Sequence, residues 1–355
     1  MNDRLHYYQY VFMAALFTAA GIFLPALVRN TAGTGAYLCY LFALPAGIAG
    51  VVVTCAVFKR AKGPLAAYSY AFGKTAARVI CAVNAVWLTF LCAQLLAYYA
   101  LFALNDSAMS SLALFIIPVS AGICFAACGK TSSLGRTAVI LGSVILIAAA
   151  VFFGISLFGG KLSNLYTLRP PDSADTLVRI TGCLWALMFS ETSAVTALSG
   201  ALENRDKLIR STVLPVLAGG IAVLITFILD VIINGQTSGA YEPSYGAAKD
   251  TSGVAVIAAA ALFFASVFRC TVCLHSAGVY FTQAFRIKRR RAVVITLGIC
   301  AAAAAFYLSR SMRFLNEFMI RFSWIPSIAI GVGLPLTCLL FGYIRRSRRA
   351  NNTKY

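Results

Sequence analysis

The sequence predicts an all-α, polytopic membrane protein of about ten transmembrane helices, and three observations carry that prediction. Of 355 residues, 60% are hydrophobic and only 12% charged, where an ordinary soluble domain carries roughly 25% charged residues. Apolar runs of about 20 residues recur along the chain, each long enough to cross roughly 30 Å of hydrocarbon. Lys and Arg fall in short clusters between these runs. A soluble core needs a polar shell that this composition cannot supply, so lipid is the solvent. In lipid every backbone N–H and C=O must find its partner inside the segment, which makes runs of this length helices.

Taken in order, the spans are expected at Tyr8 to Val28, Ala36 to Phe58, Val79 to Leu104, Ser111 to Cys128, Thr137 to Phe158, Ile180 to Gly200, Val213 to Ile233, Val254 to Phe281, Ala292 to Leu308 and Phe322 to Tyr343. The first run has neither a basic lead nor a small-residue cleavage site, so it is expected to stay as a span rather than be removed as a signal peptide. With ten spans, 21 Lys and Arg residues fall on the side of the N-terminus and eight on the other. That bias predicts both termini in the cytoplasm. The formal charge of +19 is thereby explained as a topology signal, and nucleic acid is not an expected partner. Eleven cysteines lie mostly inside apolar runs without framework spacing, so no disulfides are expected.

The whole chain, 1–355, is expected to form one transmembrane domain of two five-span halves, approximately 8–158 and 180–343, joined by a loop containing Pro170 and Pro171. Gly21 and Pro25 interrupt the first span, and the polar run Ser190, Glu191, Thr192, Ser193 interrupts the sixth. Interrupted helices at matching positions of two halves point to an inverted-repeat transporter with a site at the bilayer midplane. Glu191 is the central residue, because an ionised carboxylate facing lipid costs about 3 kcal/mol or more. It must face protein or a polar cleft. Arg269, in the eighth span, is the other mid-span charge and the natural partner for it, directly or through a bound solute.

Asn84, Trp87, Leu91, Gln94 and Tyr98 are spaced three or four apart and share one face of the third span. That face reads either as a wall of the solute pathway or as interhelical packing. Other motifs carry less. Gly129-Lys130-Thr131-Ser132 lacks the upstream glycine and the strand of a phosphate loop. Cys270, Cys273 and His275 lie inside an apolar span without a second ligand pair, so no metal and no cofactor is expected. The only histidines are His6 and His275, and no nucleophile–base or paired-carboxylate arrangement appears, which argues against an enzyme.

The chain resembles the B-type permease subunit of spore germinant receptors (GerAB-like), within the amino acid–polyamine–organocation transporter superfamily. The resemblance runs over essentially the whole length. It rests on Gln9 leading into Gly21-Ile22-Phe23-Leu24-Pro25, on Asn164-Leu165 followed by Pro170, on Phe189-Ser190-Glu191, and on Gly333-Leu334-Pro335 running into the basic tail Arg345 to Arg349. It implies a five-plus-five inverted repeat with broken helices one and six. The implied ligand is a small solute, an amino acid above all, bound by Thr18, Gly21 and Pro25 of span one and Ser190, Glu191, Thr192 and Ser193 of span six. Spans three and eight would wall the site. It also implies companion receptor subunits in an inner spore membrane; a free-standing secondary amino-acid transporter, proton-coupled or uncoupled, is the alternative. Arg269 departs from sodium-coupled relatives of such a fold, which place neutral hydroxyl residues near a cation there.

Overall fold

The computed structural model describes residues 4–23, 28, 32–59, 61, 63–104, 109–159, 162–171, 173–234 and 252–352. Among these the chain is helical nearly throughout, and a single isolated bridge, Leu5 to Leu202, is the one extended pairing. Helix α1 (Tyr7–Ala19) starts behind a capping box in which the His6 N–H donates to the Gln9 side chain at 3.2 Å. It passes into a 3₁₀ turn at Ala20–Phe23, and both belong to span one. Spans two to five are α2 (Ala36–Phe58), α4 (Lys74–Leu104), α5 (Met109–Ala127) and α6 (Thr131–Gly159), with the short α3 (Pro64–Phe72) between the first two.

Span six comes in pieces. Helix α7 (Ala174–Met188) is capped by the Ser173 hydroxyl, which accepts from the Thr176 N–H at 3.1 Å. It ends in a 3₁₀ turn at Ser190–Thr192, and α8 (Ser193–Ala197) and a second 3₁₀ turn at Leu198–Ala201 follow. Spans seven to nine are α9 (Leu208–Asn234), α10 (Ser252–Phe285) and α11 (Arg290–Leu308). Span ten is α12 (Met312–Phe318), α13 (Trp324–Ile328) and α14 (Leu334–Asn352), joined by π-helical turns at Met319–Ser323 and Ala329–Gly333.

Among the described residues, seven helical stretches are long and apolar enough to cross a membrane, and an eighth, Leu112–Ala127, is shorter. The interrupted spans one and six bring the bundle to ten. Several helices outrun their apolar cores, because charged residues beyond the hydrocarbon edge still propagate a helix. Span ten departs most from its expected start at Phe322. Its helix begins at Met312, and Arg313 pairs with Glu317 one turn on at 3.2 Å on an exposed face. Helix α3 was not expected from hydropathy. Gly63 (φ +134°) and Gly73 (φ +85°) bracket it in conformations that favour glycine, and Pro64 sits at its first turn.

The packing repeats with a period of five spans. Span one packs on spans five and seven, and span six packs on spans ten and two. Span three lies against span nine as span four lies against span eight, and span five meets span eight as span ten meets span three. Spans three and eight form the most extensive pairing and stand at the centre. Span eight additionally leans on both interrupted spans, one and six. Apart from these contacts of span eight with spans one and six, each pairing named has a counterpart in the other half, the pattern of a five-plus-five repeat.

Candidate solute site at the interrupted helices

The break in span six needs neither glycine nor proline. Its side chains bond to the backbone instead: the Ser190 hydroxyl donates to the Ala186 carbonyl, and the Thr192 hydroxyl donates to the Phe189 carbonyl at 2.5 Å. Hydroxyl groups that bond back to the preceding turn bend and loosen helices. The Thr192 N–H also reaches the Phe189 carbonyl, at 3.2 Å, which closes a 3₁₀ turn where an α-turn would otherwise continue. Neighbouring spans clasp the break. Gly47 of span two makes room for the Phe189 ring, since a Cβ there would overlap it. Gly331, in the second π turn of span ten, rests directly on Ser190, and its carbonyl accepts from the Thr54 hydroxyl of span two at 3.2 Å.

Glu191 lies in that 3₁₀ turn and points inward; it is 2% exposed. Arg269, wholly buried in α10, meets it. Arg269 Nη2 donates to Glu191 Oε2 at 2.7 Å and Nε donates to the same oxygen at 3.2 Å. Nη2 also donates to the Leu187 carbonyl at the end of α7, a group that the interruption has freed from its helical partner. The guanidinium carbon sits 4.9 Å from the centroid of the Phe17 ring of span one. A single side chain of span eight therefore ties together both interrupted helices. Nη1 of Arg269 is buried and has no hydrogen-bond partner among the described residues. About two turns further along α10, the Ser276 hydroxyl donates to the Ala194 carbonyl of α8 at 2.7 Å, so span eight bonds to span six on both sides of the break.

The remaining expected residues spread out around this centre. Gly21 is buried in the 3₁₀ turn that follows α1. Pro25 lies outside the described residues. Thr18 is buried, but its hydroxyl donates to the Ala14 carbonyl of its own helix at 2.9 Å and its side chain packs on Gly219 of span seven. Ser193 is buried at the start of α8, where its carbonyl accepts from the Thr196 hydroxyl at 3.1 Å.

On span three, Gln94 forms a reciprocal pair with Ser323 in the first π turn of span ten, both contacts at 3.0 Å. Its amide is engaged between helices. Asn84 donates to the Ile80 carbonyl at 2.9 Å, while its Oδ1 is buried with no partner among the described residues. Tyr98 is buried and meets Tyr99 edge-on at 5.8 Å. Sequence reasoning had no signal for Phe17, for the Leu187 carbonyl or for the clasp at Gly331. The pairing of Gln94 with Ser323 was equally silent, because Ser323 lies in a π turn. All eleven cysteines are free thiols, and among the described residues no group of three metal-ligating side chains gathers.

A ten-span bundle with interrupted first and sixth helices around a buried polar centre has the architecture of secondary solute transporters. The comparisons with solved structures carry this to particular folds. The chain is similar to MhsT in complex with L-phenylalanine, with a TM-score of 0.67, 17% identity, and coverage of 94% of this chain and 87% of that one. It is similar to MHP1, a nucleobase-cation-symport-1 family transporter held closed with bromovinylhydantoin, at a TM-score of 0.66 and 12% identity over 90% of this chain and 76% of that one. A Na+-coupled sialic acid symporter in a substrate-bound outward-open state matches at a TM-score of 0.66 and 14% identity, covering 91% and 78% of the two chains. At these identities the shared property is the fold. No family model and no curated protein matches the chain by sequence.

Proposed function

We propose that this chain binds an amino acid at the break between spans one and six and acts as the permease-type subunit of a spore germinant receptor. The observation that carries the ligand class is the buried pair itself. Glu191 spends one carboxylate oxygen, Oε2, on Arg269, and Arg269 keeps the NH2 group of Nη1 without a partner among the described residues. A neutral pair that still offers a cationic donor and an anionic acceptor is complementary to a zwitterion. The ligand carboxylate takes Nη1 and its ammonium takes Glu191 Oε1. A ligand of net charge would leave one of the two poles uncompensated in a low-dielectric site. A structural neighbour in complex with L-phenylalanine supports an amino acid as the solute of such a fold.

The germinant-receptor role rests on the sequence resemblance, and with it come the companion subunits and the inner spore membrane, while cytoplasmic termini rest on the bias of Lys and Arg between the two sides. The alternative, a free-standing secondary transporter, is favoured by the likeness to a nucleobase-cation-symport-1 transporter and a sialic acid symporter. In either role Arg269 supplies a fixed positive charge against the freed Leu187 carbonyl, where interrupted helices otherwise present carbonyls to a mobile cation. Sodium coupling is therefore not part of the proposal. Binding and uptake of labelled amino acids by the purified chain in sealed vesicles test both readings. Saturable binding without net uptake supports the receptor subunit, and uptake abolished by a protonophore supports a proton-coupled permease. Absence of saturable amino-acid binding overturns the proposed ligand.

A further inference from the structure

On the outer surface, away from the interrupted helices, α5 and α11 enclose a groove of ≈ 940 Å³. Its walls are apolar, among them Ile117 and Phe125 of span four and Ile295, Ile299 and Ala302 of span nine. Gly298 lies against Cys124 in its lining, where a Cβ would overlap the cysteine sulfur. One end differs from the rest. There Gly129, Ser133 and Arg291 form the lining, at the N-termini of two long helices, α6 and α11. Those N-termini carry partial positive charge. The neighbouring Arg290 is turned inward onto His275 and the Ala127 carbonyl, so the exposed guanidinium at the mouth is that of Arg291. Arg291 has no carboxylate partner among the described residues.

We propose that this groove is a site for one anionic phospholipid of the surrounding bilayer, with its acyl chain along the groove and its phosphate against Arg291. Length decides the occupant. From Arg291 to Ala302 the groove follows α11 for eleven residue steps, about 16 Å at the rise of a helix. The hydrocarbon core is roughly 30 Å thick, so the groove spans one leaflet. A transmembrane helix of a partner needs the full thickness, whereas an acyl chain with its headgroup at the interface needs half. The charge at the mouth then selects the headgroup. Basic pockets between helices hold anionic lipid heads in this way.

The test uses the full chain reconstituted in phosphatidylcholine nanodiscs carrying trace spin-labelled phosphatidylglycerol or spin-labelled phosphatidylcholine. The protein-restricted signal is expected to favour phosphatidylglycerol by about fivefold at low salt, and the preference to shrink as salt screens it. Arg291→Gln brings the two lipids to parity and Arg291→Lys keeps the preference. Ala302→Phe, which fills the apolar end, removes restricted lipid of both kinds. An unchanged thermal midpoint and unchanged amino-acid binding in phosphatidylcholine identify the variants as folded. Equal association of the two lipids with the wild-type chain overturns the proposal. So does a preference that survives Arg291→Gln, or one lost equally in the adjacent Arg289→Gln, which would mark a diffuse basic surface. A dimer whose formation excludes phosphatidylglycerol assigns the groove to a second copy and also overturns it.

Discussion

Spans one and six hold corresponding places in the bundle, yet their interruptions are built differently. Span one passes from α-helix to 3₁₀ turn at Ala20 among small and apolar residues, with one back-bonding hydroxyl, Thr18, just before it and no charge inside the turn. Span six breaks at two hydroxyls that bond backwards and places a carboxylate inside the turn. What span one offers the centre is the face of the Phe17 ring, while span six offers a charge and a freed carbonyl. The lesson is that a repeat can preserve the packing and still concentrate the chemistry in one half. Arg269 then serves as the connection, because it is the group that contacts both breaks.

The largest expected effects come from unbalancing the charges at the span-six break. Glu191→Gln leaves a guanidinium buried without its partner and costs about 3–5 kcal/mol. Arg269→Gln costs less, because a carboxylic acid can shed its charge by taking up a proton and a guanidinium cannot. The double variant recovers most of the stability but not amino-acid binding. Thermal unfolding in detergent and ligand binding check all three, and equal losses in the two single variants would contradict a buried pair of this kind.

Steric clasps come next. Gly47→Ala forces a methyl group into the Phe189 ring and Gly331→Ala forces one onto Ser190, each expected to cost about 1–3 kcal/mol. Gly219→Ala, which meets Thr18 at 2.9 Å beside span one, is expected at the low end of that range. If Gly219→Ala instead impairs binding more than the other two, the asymmetry between the breaks is the wrong way round.

Phe17→Leu keeps most of the volume and removes the aromatic face, for a loss of about 1–2 kcal/mol. A double-mutant cycle with Arg269→Gln isolates that contact, and an additive result would assign Phe17 to packing alone. The smallest effect is expected from Gln94→Leu or Ser323→Ala, at about 0.6 kcal/mol for an interhelical hydrogen bond in lipid. Amino-acid affinity should not change with either. A tenfold loss of affinity in Gln94→Leu would favour the pathway reading of the span-three face over the packing one.

The difference between Gln94 and Glu191 also shows how far the sequence could be read. Glu191 was legible because charge in hydrocarbon has a cost that only a partner or a cleft can offset, and Arg269 was the one other mid-span charge to meet it. Gln94 was not, because an amide satisfies its hydrogen bonds equally well with a solute or with a neighbouring helix, and Ser323 sits in a π turn that hydropathy does not register. Thr18 was ambiguous for a related reason, since a hydroxyl can bond to its own backbone. The boundaries of span ten slipped because Arg313, Glu317 and Arg321 lower hydropathy without ending a helix.

The sequence by itself determined that this chain lives in lipid, that it crosses as helices, and that position 191 must be compensated inside the protein. Each follows from the expense of exposing polar groups to hydrocarbon, which composition and spacing alone reveal. Only the tertiary structure decided which atoms provide the compensation. Arg269 reaches Glu191, the Leu187 carbonyl and the Phe17 ring together because spans one, six and eight converge, and convergence depends on how helices pack in three dimensions rather than on any one helix's residues.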